Sequence, residues 1–381
     1  MKRILAAILA LMLLAGAALA AGEGFSATDQ GLDLSCGSVR YPRLSLPEDP
    51  ETEKKLNDRL LESGGIPGYL TRLPQLLTGG EMTVTWSAET GDGIFSCVFS
   101  AQGAILNRRA THVWTAANLD LATGEEIPFA TLFTEEAAAR EKIAQILETE
   151  VAPDLSAHLQ NSELLPLPET FALSRAGLRL LYPVEQLSTL SDRAGEVCLA
   201  WNEIADVLDL SEGSPAVRFG AAEALTLSGE SADRMAGAME NGTFPGLPVK
   251  LGDPLKEATD AYAMLTDPDF YEGGRMFALE AGVFRNVFLL TDGLGEDWDD
   301  SRILGIRMDR GCFCGLKIGQ TTRDEWQRLL GEPESSLVWD EDRAEANRAV
   351  PGICDYYRMG GHTLRLLSDT EGVLRMMTLT E

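Results

Sequence analysis

Histidine is almost missing from this chain of 381 residues: His112, His158 and His362 are the only three, far apart and in unlike surroundings. That scarcity excludes the two-histidine metal motifs, and no G-x-S-x-G elbow, S-x-x-K, H-E-x-x-H or Walker loop is present either. Positive charge is scarce as well. The 32 Lys and Arg stand against 59 Asp and Glu, a formal charge of −27, which repels polyanions and argues against nucleic acid as a partner. Long apolar runs are also lacking. Residues 4–14 form the only one near the start, shorter than the roughly 20 residues a membrane span needs. Cys36 is the first cysteine, so no lipobox thiol is available to carry a lipid.

What the first residues do contain is a secretory pattern. Lys2-Arg3, the apolar run and the small residues Ala18-Leu19-Ala20 read as the n-region, h-region and A-x-A site of a signal peptide over residues 1–20. Cleavage there removes Lys2 and Arg3, takes the charge to −29 and leaves no membrane span. The expected location is extracellular, the mature protein being released or held at the cell wall by its partners. Outside the cell six cysteines permit disulfides in 15 connectivities. Small buried hydrophobes are an equally good reading. Cys312 and Cys314 flank Phe313 in an expected strand, on one face and badly placed to bond each other. No second C-x-C or histidine pair completes a zinc site, and no cofactor is expected.

Taken in order, 32–41 read as a strand ending at Pro42. Asp49-Pro50-Glu51 starts a helix, with Asp as cap and Pro at its first turn; Leu56, Leu60 and Leu61 give it one apolar stripe, and Ser63-Gly64-Gly65 ends it. Met82, Val84, Trp86 and Ala88 alternate with small polar residues as a half-buried strand does, and Gly91-Asp92-Gly93 turns it into a second strand with Phe95, Cys97 and Phe99 on one face. Residues 111–133 pass from strand alternation to helical spacing through a turn at Thr123-Gly124. Thr134-Glu135-Glu136 is expected to cap a helix carrying Ile143, Ile146, Leu147 and Val151. A hairpin turns at Arg175-Ala176-Gly177, a short strand covers 195–199, and a helix is expected at 202–210. Strands paired by hairpins with helices between them predict an α+β fold of antiparallel sheets with packed helices.

The order Tyr41-Pro42, Leu56-Asn57, Asn118-Leu119-Asp120-Leu121-Ala122-Thr123-Gly124, Thr131-Leu132-Phe133 and Gly195 before Val197 resembles an extracellular domain. That domain is shared by a lysozyme-sensing anti-sigma factor and the non-catalytic N-terminal region of a peptidoglycan deacetylase. Members often carry Gly-Gly-Ala-His ahead of the Asn-x-Asp-Leu strand; here Arg109-Ala110-Thr111-His112 keeps the histidine and lacks both glycines. The resemblance implies a sensor-like domain over 21–210 and a partner such as a basic, lysozyme-like muramidase or cell-wall material. Residues 211–248, rich in Ala, Gly, Ser and Glu, read as a linker with one strand and one short helix.

Beyond the linker the sequence repeats itself. Val249-Lys250-Leu251-Gly252 and the following helical pattern match Leu316-Lys317-Ile318-Gly319 and the helix through Trp326, Leu329 and Leu330. Residues 287–292 match 364–369, and 301–308 match 372–378 as closing strands. The expectation is two helix-plus-β-meander units, 249–315 and 316–381, sharing a sheet. The lysine-apolar-Gly start and the Gly331-Glu332-Pro333 ending resemble the small repeat of β-lactamase inhibitory proteins and of outer-membrane assembly lipoproteins.

Paired carboxylates are too common in so acidic a chain to mark a catalytic site. The acidic tip at 293–300 lacks a calcium-loop register. Its Trp298 among Asp297, Asp299 and Asp300 has the composition of an interface anchor, and these four with His112 are the expected partner-binding residues. The function expected is that of a secreted, non-enzymatic binding protein of the bacterial cell envelope. A carboxylate-dependent cell-wall hydrolase without a recognisable motif and a structural envelope scaffold are the alternatives, so enzymatic activity stays open.

Overall fold

The computed structural model describes residues 18–22, 24–105, 111–152, 165–182, 195–247, 249–256, 269–278, 287–292 and 301–381. The chain forms two compact units, one of residues 1–132, 156–173 and 179–196, the other of 133–155, 174–178 and 197–381. Antiparallel sheets with packed helices make it α+β, as the strand pattern predicts. Among the described residues no helix is long and apolar enough to cross a membrane.

In the first unit β1 (Ala18–Gly22), β2 (Phe25–Leu34), β3 (Gly37–Ser45), β4 (Gly80–Gly91), β5 (Ile94–Ile105) and β6 (Thr111–Asp120) lie side by side in chain order. Only β3 and β4 pair parallel, because the helices α1 (Pro50–Ser63) and α2 (Ile66–Arg72) cross over between them. Asp49 caps α1 by accepting a 3.0 Å hydrogen bond from Thr52 N. Leu56 and Leu60 point into a core with Val39, Val84, Phe95 and Phe99. Asn57 ties α1 to β3: its Nδ2 donates to Leu44 O at 2.8 Å and its Oδ1 accepts from Leu44 N at 2.9 Å. The strand expected over 32–41 is two strands, since the chain reverses at Ser35-Cys36 and pairs Leu34 with Gly37.

The Asn-x-Asp-Leu stretch has a local physical role. Asn118 is buried; its Oδ1 accepts from Ser96 Oγ at 2.8 Å and Leu173 N at 3.1 Å, and its Nδ2 donates to Phe171 O at 2.9 Å. Asp120 Oδ1 accepts from Ala122 N and Thr123 N, closing the turn that Gly124 completes at φ +68°. A sheet of β7 (Thr170–Ser174), β8 (Gly177–Tyr182) and β9 (Gly195–Ala200) follows in that order. In it Glu196 is fully buried against Arg179, with Nη2 at 2.6 Å. Burial pushes that carboxyl up and the arginine only partly offsets it.

The second unit contains α3 (Glu136–Ile146), then α4 (Pro215–Arg218), α5 (Ala221–Leu225) and α6 (Ser231–Glu240). Its sheet has eight strands in the order β10 (Asp269–Tyr271), β11 (Gly274–Ala278), β12 (Val287–Thr291), β13 (Gly305–Met308), β19 (Leu374–Thr380), β18 (His362–Ser368), β17 (Gly352–Met359) and β16 (Ser335–Trp339). A small hairpin, β14 (Cys312–Phe313) and β15 (Leu316–Lys317), precedes α7 (Arg323–Leu330), and α8 (Glu341–Ala346) lies between β16 and β17. β13 and β19 pair antiparallel at the centre. On either side of that centre Gly252 N donates to Ile303 O at 2.8 Å and Gly319 N to Leu374 O at 2.7 Å, the two glycines at φ +84° and +81°.

The core of this unit gathers Trp326, Phe277, Leu289, Ile306, Leu366 and Met377. Met235, Met239, Phe244 and Leu247 belong to the same buried cluster. Residues 211–248 therefore carry three helices and pack as core, which departs from the linker expected there. The helix expected at 202–210 is not formed: Trp201–Glu203 is a single 3-10 turn. Glu203 bends back to accept from Ala200 N at 2.7 Å, and Leu208 bridges to Phe133. Thr134 does not cap α3 either, because its hydroxyl donates to Val207 O and Glu135 is the cap residue.

Candidate functional site

Two of the expected partner-binding elements fall at the edge of what is described. Asp297, Trp298, Asp299 and Asp300 lie outside the described residues. His112 is placed by its backbone on β6, opposite Gln102; its side chain is outside the description. The structure brings together a different set of residues, and these line a cavity of about 300 Å³ in the second unit.

The cavity is built from chain segments more than 100 residues apart. The β7–β8 turn brings Arg175, β9 brings Cys198, and the 3-10 turn brings Glu203. Residues of α5 and α6, including Ala224, Arg234 and Ala238, form another wall; Phe244 and Phe313 meet edge-to-face at 5.0 Å to close it. Met308, Arg310 and the β14–β15 hairpin complete the lining. The apolar share comes from alanines, glycines and these large rings, as is usual for pockets that take small molecules.

The hairpin overturns one sequence expectation. Cys312 sits in β14, but Cys314 is at a turn with φ +48° beside Gly315 at φ +89°, so the two do not share a strand face. Gly315 is required there, since a Cβ would stand 2.4 Å from Leu227 N. All six cysteines carry free thiols, and three of them, Cys198, Cys312 and Cys314, line this one cavity. Burial pushes the Cys312 thiol up to about 12 and the Cys314 thiol up to about 11, with the Arg234 guanidinium pulling the latter back only in part. Both are protonated at neutral pH and are poor nucleophiles.

The charged groups are mostly committed to one another. Arg310 holds Glu203 and Glu150 together through charge-assisted hydrogen bonds. Arg234 pairs with Glu230 at 3.4 Å through Nη1, and its Nη2 donates to Thr226 O, Ser228 and Ser231 at 3.1–3.5 Å. Its Nε is buried and has no hydrogen-bond partner among the described residues. No cluster of His, Cys, Asp and Glu among the described residues has the geometry to hold a metal ion, so the three thiols do not read as a metal centre. The sequence signal for the cavity was the cysteines, half of which converge there, yet nothing local linked Cys198 to Cys312.

No family model matches the sequence, and no curated protein matches it. Among solved structures the chain is similar to DUF3298 family proteins from Bacteroides fragilis and Pseudomonas aeruginosa. Each is 12% identical with a TM-score of 0.34; they cover 52% and 48% of this chain and 96% and 92% of their own. A DUF4309 family protein from Bacillus subtilis is 14% identical over 40% of this chain and 97% of its own, with a TM-score of 0.27. The neighbours are thus bacterial proteins of low identity, and at these TM-scores no function transfers from them.

Proposed function

We propose that this is a secreted, non-enzymatic binding protein of the bacterial cell envelope, with a cationic cell-wall hydrolase of the lysozyme type as its protein partner. The observation that carries the binding reading is the chemistry of the cavity lining. Apolar groups dominate it, its thiols are held protonated, and Glu203 is already taken by Arg310 and the Ala200 amide. A cavity so composed holds a molecule better than it transforms one. The charge of −27 supports a basic protein partner through fast, salt-sensitive association. The tandem reading of 249–381 draws support from the mirrored strand order about β13 and β19 and from the matching bonds at Gly252 and Gly319. Titration with a basic muramidase tests the partner. Binding should persist near 0.15 M ionic strength, where the Debye length is about 8 Å; loss there, or equal binding of an unrelated basic protein, refutes it.

One observation favours the hydrolase as second reading: Glu150 and Glu203 converge on Arg310, and Glu203 borders the cavity. The guanidinium between them makes the trio an ion network first. Release of soluble muropeptides from purified cell wall by the intact protein, abolished in Glu203→Gln, is the result that would establish this reading instead.

A further inference from the structure

We propose that β16, the free edge of the eight-stranded sheet, is a docking strand for a cationic extended peptide segment, which it takes up as a ninth strand. Among the described residues β16 pairs with β17 alone, in an unbroken register from Ser335 opposite Tyr356 to Trp339 opposite Gly352. Its outer side therefore presents the unpaired N–H and C=O groups of a sheet edge. Ser335, Ser336, Leu337 and Val338 are all exposed, Leu337 by 39% and Val338 by 75%. Sheet edges are commonly blunted by a lysine, a proline, a bulge or extreme shortness. Ser335–Trp339 has none of the first three and is of ordinary length for a strand. The opposite edge is blunted: β10 has three residues, and its Asp269 is paired with Arg348 at 3.0 Å.

Charge selects the occupant. Residues 332–342 hold Glu332, Glu334, Asp340, Glu341 and Asp342 and no base; all five acids are exposed, and they flank the strand at both ends. Asp340 caps α8, while the other four carboxylates make no ion pair with any described residue. The two arginines that touch β16, Arg323 at Ser336 and Arg343 over the Trp339 ring, are themselves paired with Asp355 and Glu272. The same charges select against a second copy of this chain. Symmetric antiparallel pairing about Leu337 would set Glu334 against Asp340 of the other copy and Glu332 against its Asp342, and like charges directly opposite are destabilising. A segment with lysine or arginine at both ends meets opposite charge instead. Its centre meets Leu337 on one face and Val338 on the other, which suits β-branched apolar residues.

The proposal does not depend on the muramidase reading, because its ligand is a free peptide. The test uses the full chain and the peptide Lys-Lys-Thr-Val-Val-Val-Thr-Lys-Lys, with fluorescence anisotropy for affinity and hydrogen-exchange mass spectrometry for location. One control is the same peptide N-methylated at its five central amides, which keeps the charge and removes the strand donors; the other has glutamates in place of the lysines. The lysine peptide should bind, each control at least about tenfold more weakly, and the amides of 335–339 should exchange more slowly in the complex. Val338→Lys, at an exposed position, should weaken binding at least about tenfold, and Glu332→Gln combined with Glu334→Gln about threefold to tenfold. Equal binding of the N-methylated peptide, or binding indifferent to Val338→Lys, reduces the effect to charge attraction and overturns the docking strand. No binding of the lysine peptide, or protection that appears elsewhere while 335–339 stays unchanged, overturns it as well. A concentration-dependent dimer of the free protein with 335–339 protected assigns the edge to a second copy instead. None of these results bears on the muramidase titration, which is separate.

Discussion

Replacing Asp355 with asparagine should unfold the second unit more easily than any surface change of the same size. Asp355 lies on β17, fully buried, and accepts five hydrogen bonds, four of them from three residues of α7. Arg323 donates through Nε at 2.9 Å and Nη2 at 2.8 Å, Trp326 Nε1 at 3.2 Å, Gln327 Nε2 at 3.0 Å and Ser336 Oγ at 2.7 Å. The carboxylate is thus the pin between helix and sheet. Removing one partner of a buried pair costs about 3–5 kcal/mol. Arg323 is 27% exposed and solvent screens part of its charge, which brings the expectation to about 2–4 kcal/mol. For a unit of this size that is a fall in Tm of about 5–15 °C.

The pH dependence gives a sharper check. Burial would raise the Asp355 carboxyl, but the bonds from Arg323, Ser336 and Trp326 outweigh it and hold it below the usual range. A depressed folded-state pKa contributes stability that is fully present above the unfolded value of about 3.9 and is lost as pH falls through the folded value. The gap between wild type and Asp355→Asn should therefore be widest near neutrality and narrow below about pH 4. Urea unfolding followed by tryptophan fluorescence measures both, since Trp326 belongs to the network. A gap under about 0.5 kcal/mol at pH 7, or one as large at pH 3 as at pH 7, would refute the reasoning.

Two further outcomes are expected. Asn118→Ala strips three buried hydrogen bonds and leaves Leu173 N with Ser96 Oγ alone at 2.9 Å, so denaturation should show a loss of about 2–3 kcal/mol with faster amide exchange in β7. Iodoacetamide at pH 8 should leave Cys312 and Cys354 untouched in the folded protein and modify them only in denaturant, with Cys314, the least buried of the six, the first to react; peptide mass spectrometry reads this directly, and rapid native labelling of Cys312 would show that its burial is wrong.

Much of this fold is legible in one dimension because its signals are local. The cap at Asp49, the stripe of Leu56 and Leu60, the alternation through Met82 and Val84 and the Asp92-Gly93 turn each depend on residues within a few positions of one another, so the sequence alone places α1, β4 and β5. Tertiary structure decided the rest. Residues 211–248 have the small-residue composition of a linker, yet Met235, Met239 and Phe244 belong to one buried cluster with Tyr357 and Leu379, more than 100 residues further on, and helices of four and five residues are too short to show a period while the ten-residue one shows only Ser231, Met235 and Met239 on its buried face. The stretch 202–210 had helical spacing, yet only the 3-10 turn Trp201–Glu203 forms there and Leu208 pairs with Phe133 instead, a partner 75 residues away that no local spacing announces. The cavity is the extreme case: Cys198, Arg234 and Cys312 meet only because the sheet and the short helices are already assembled, and no spacing along the chain encodes that meeting.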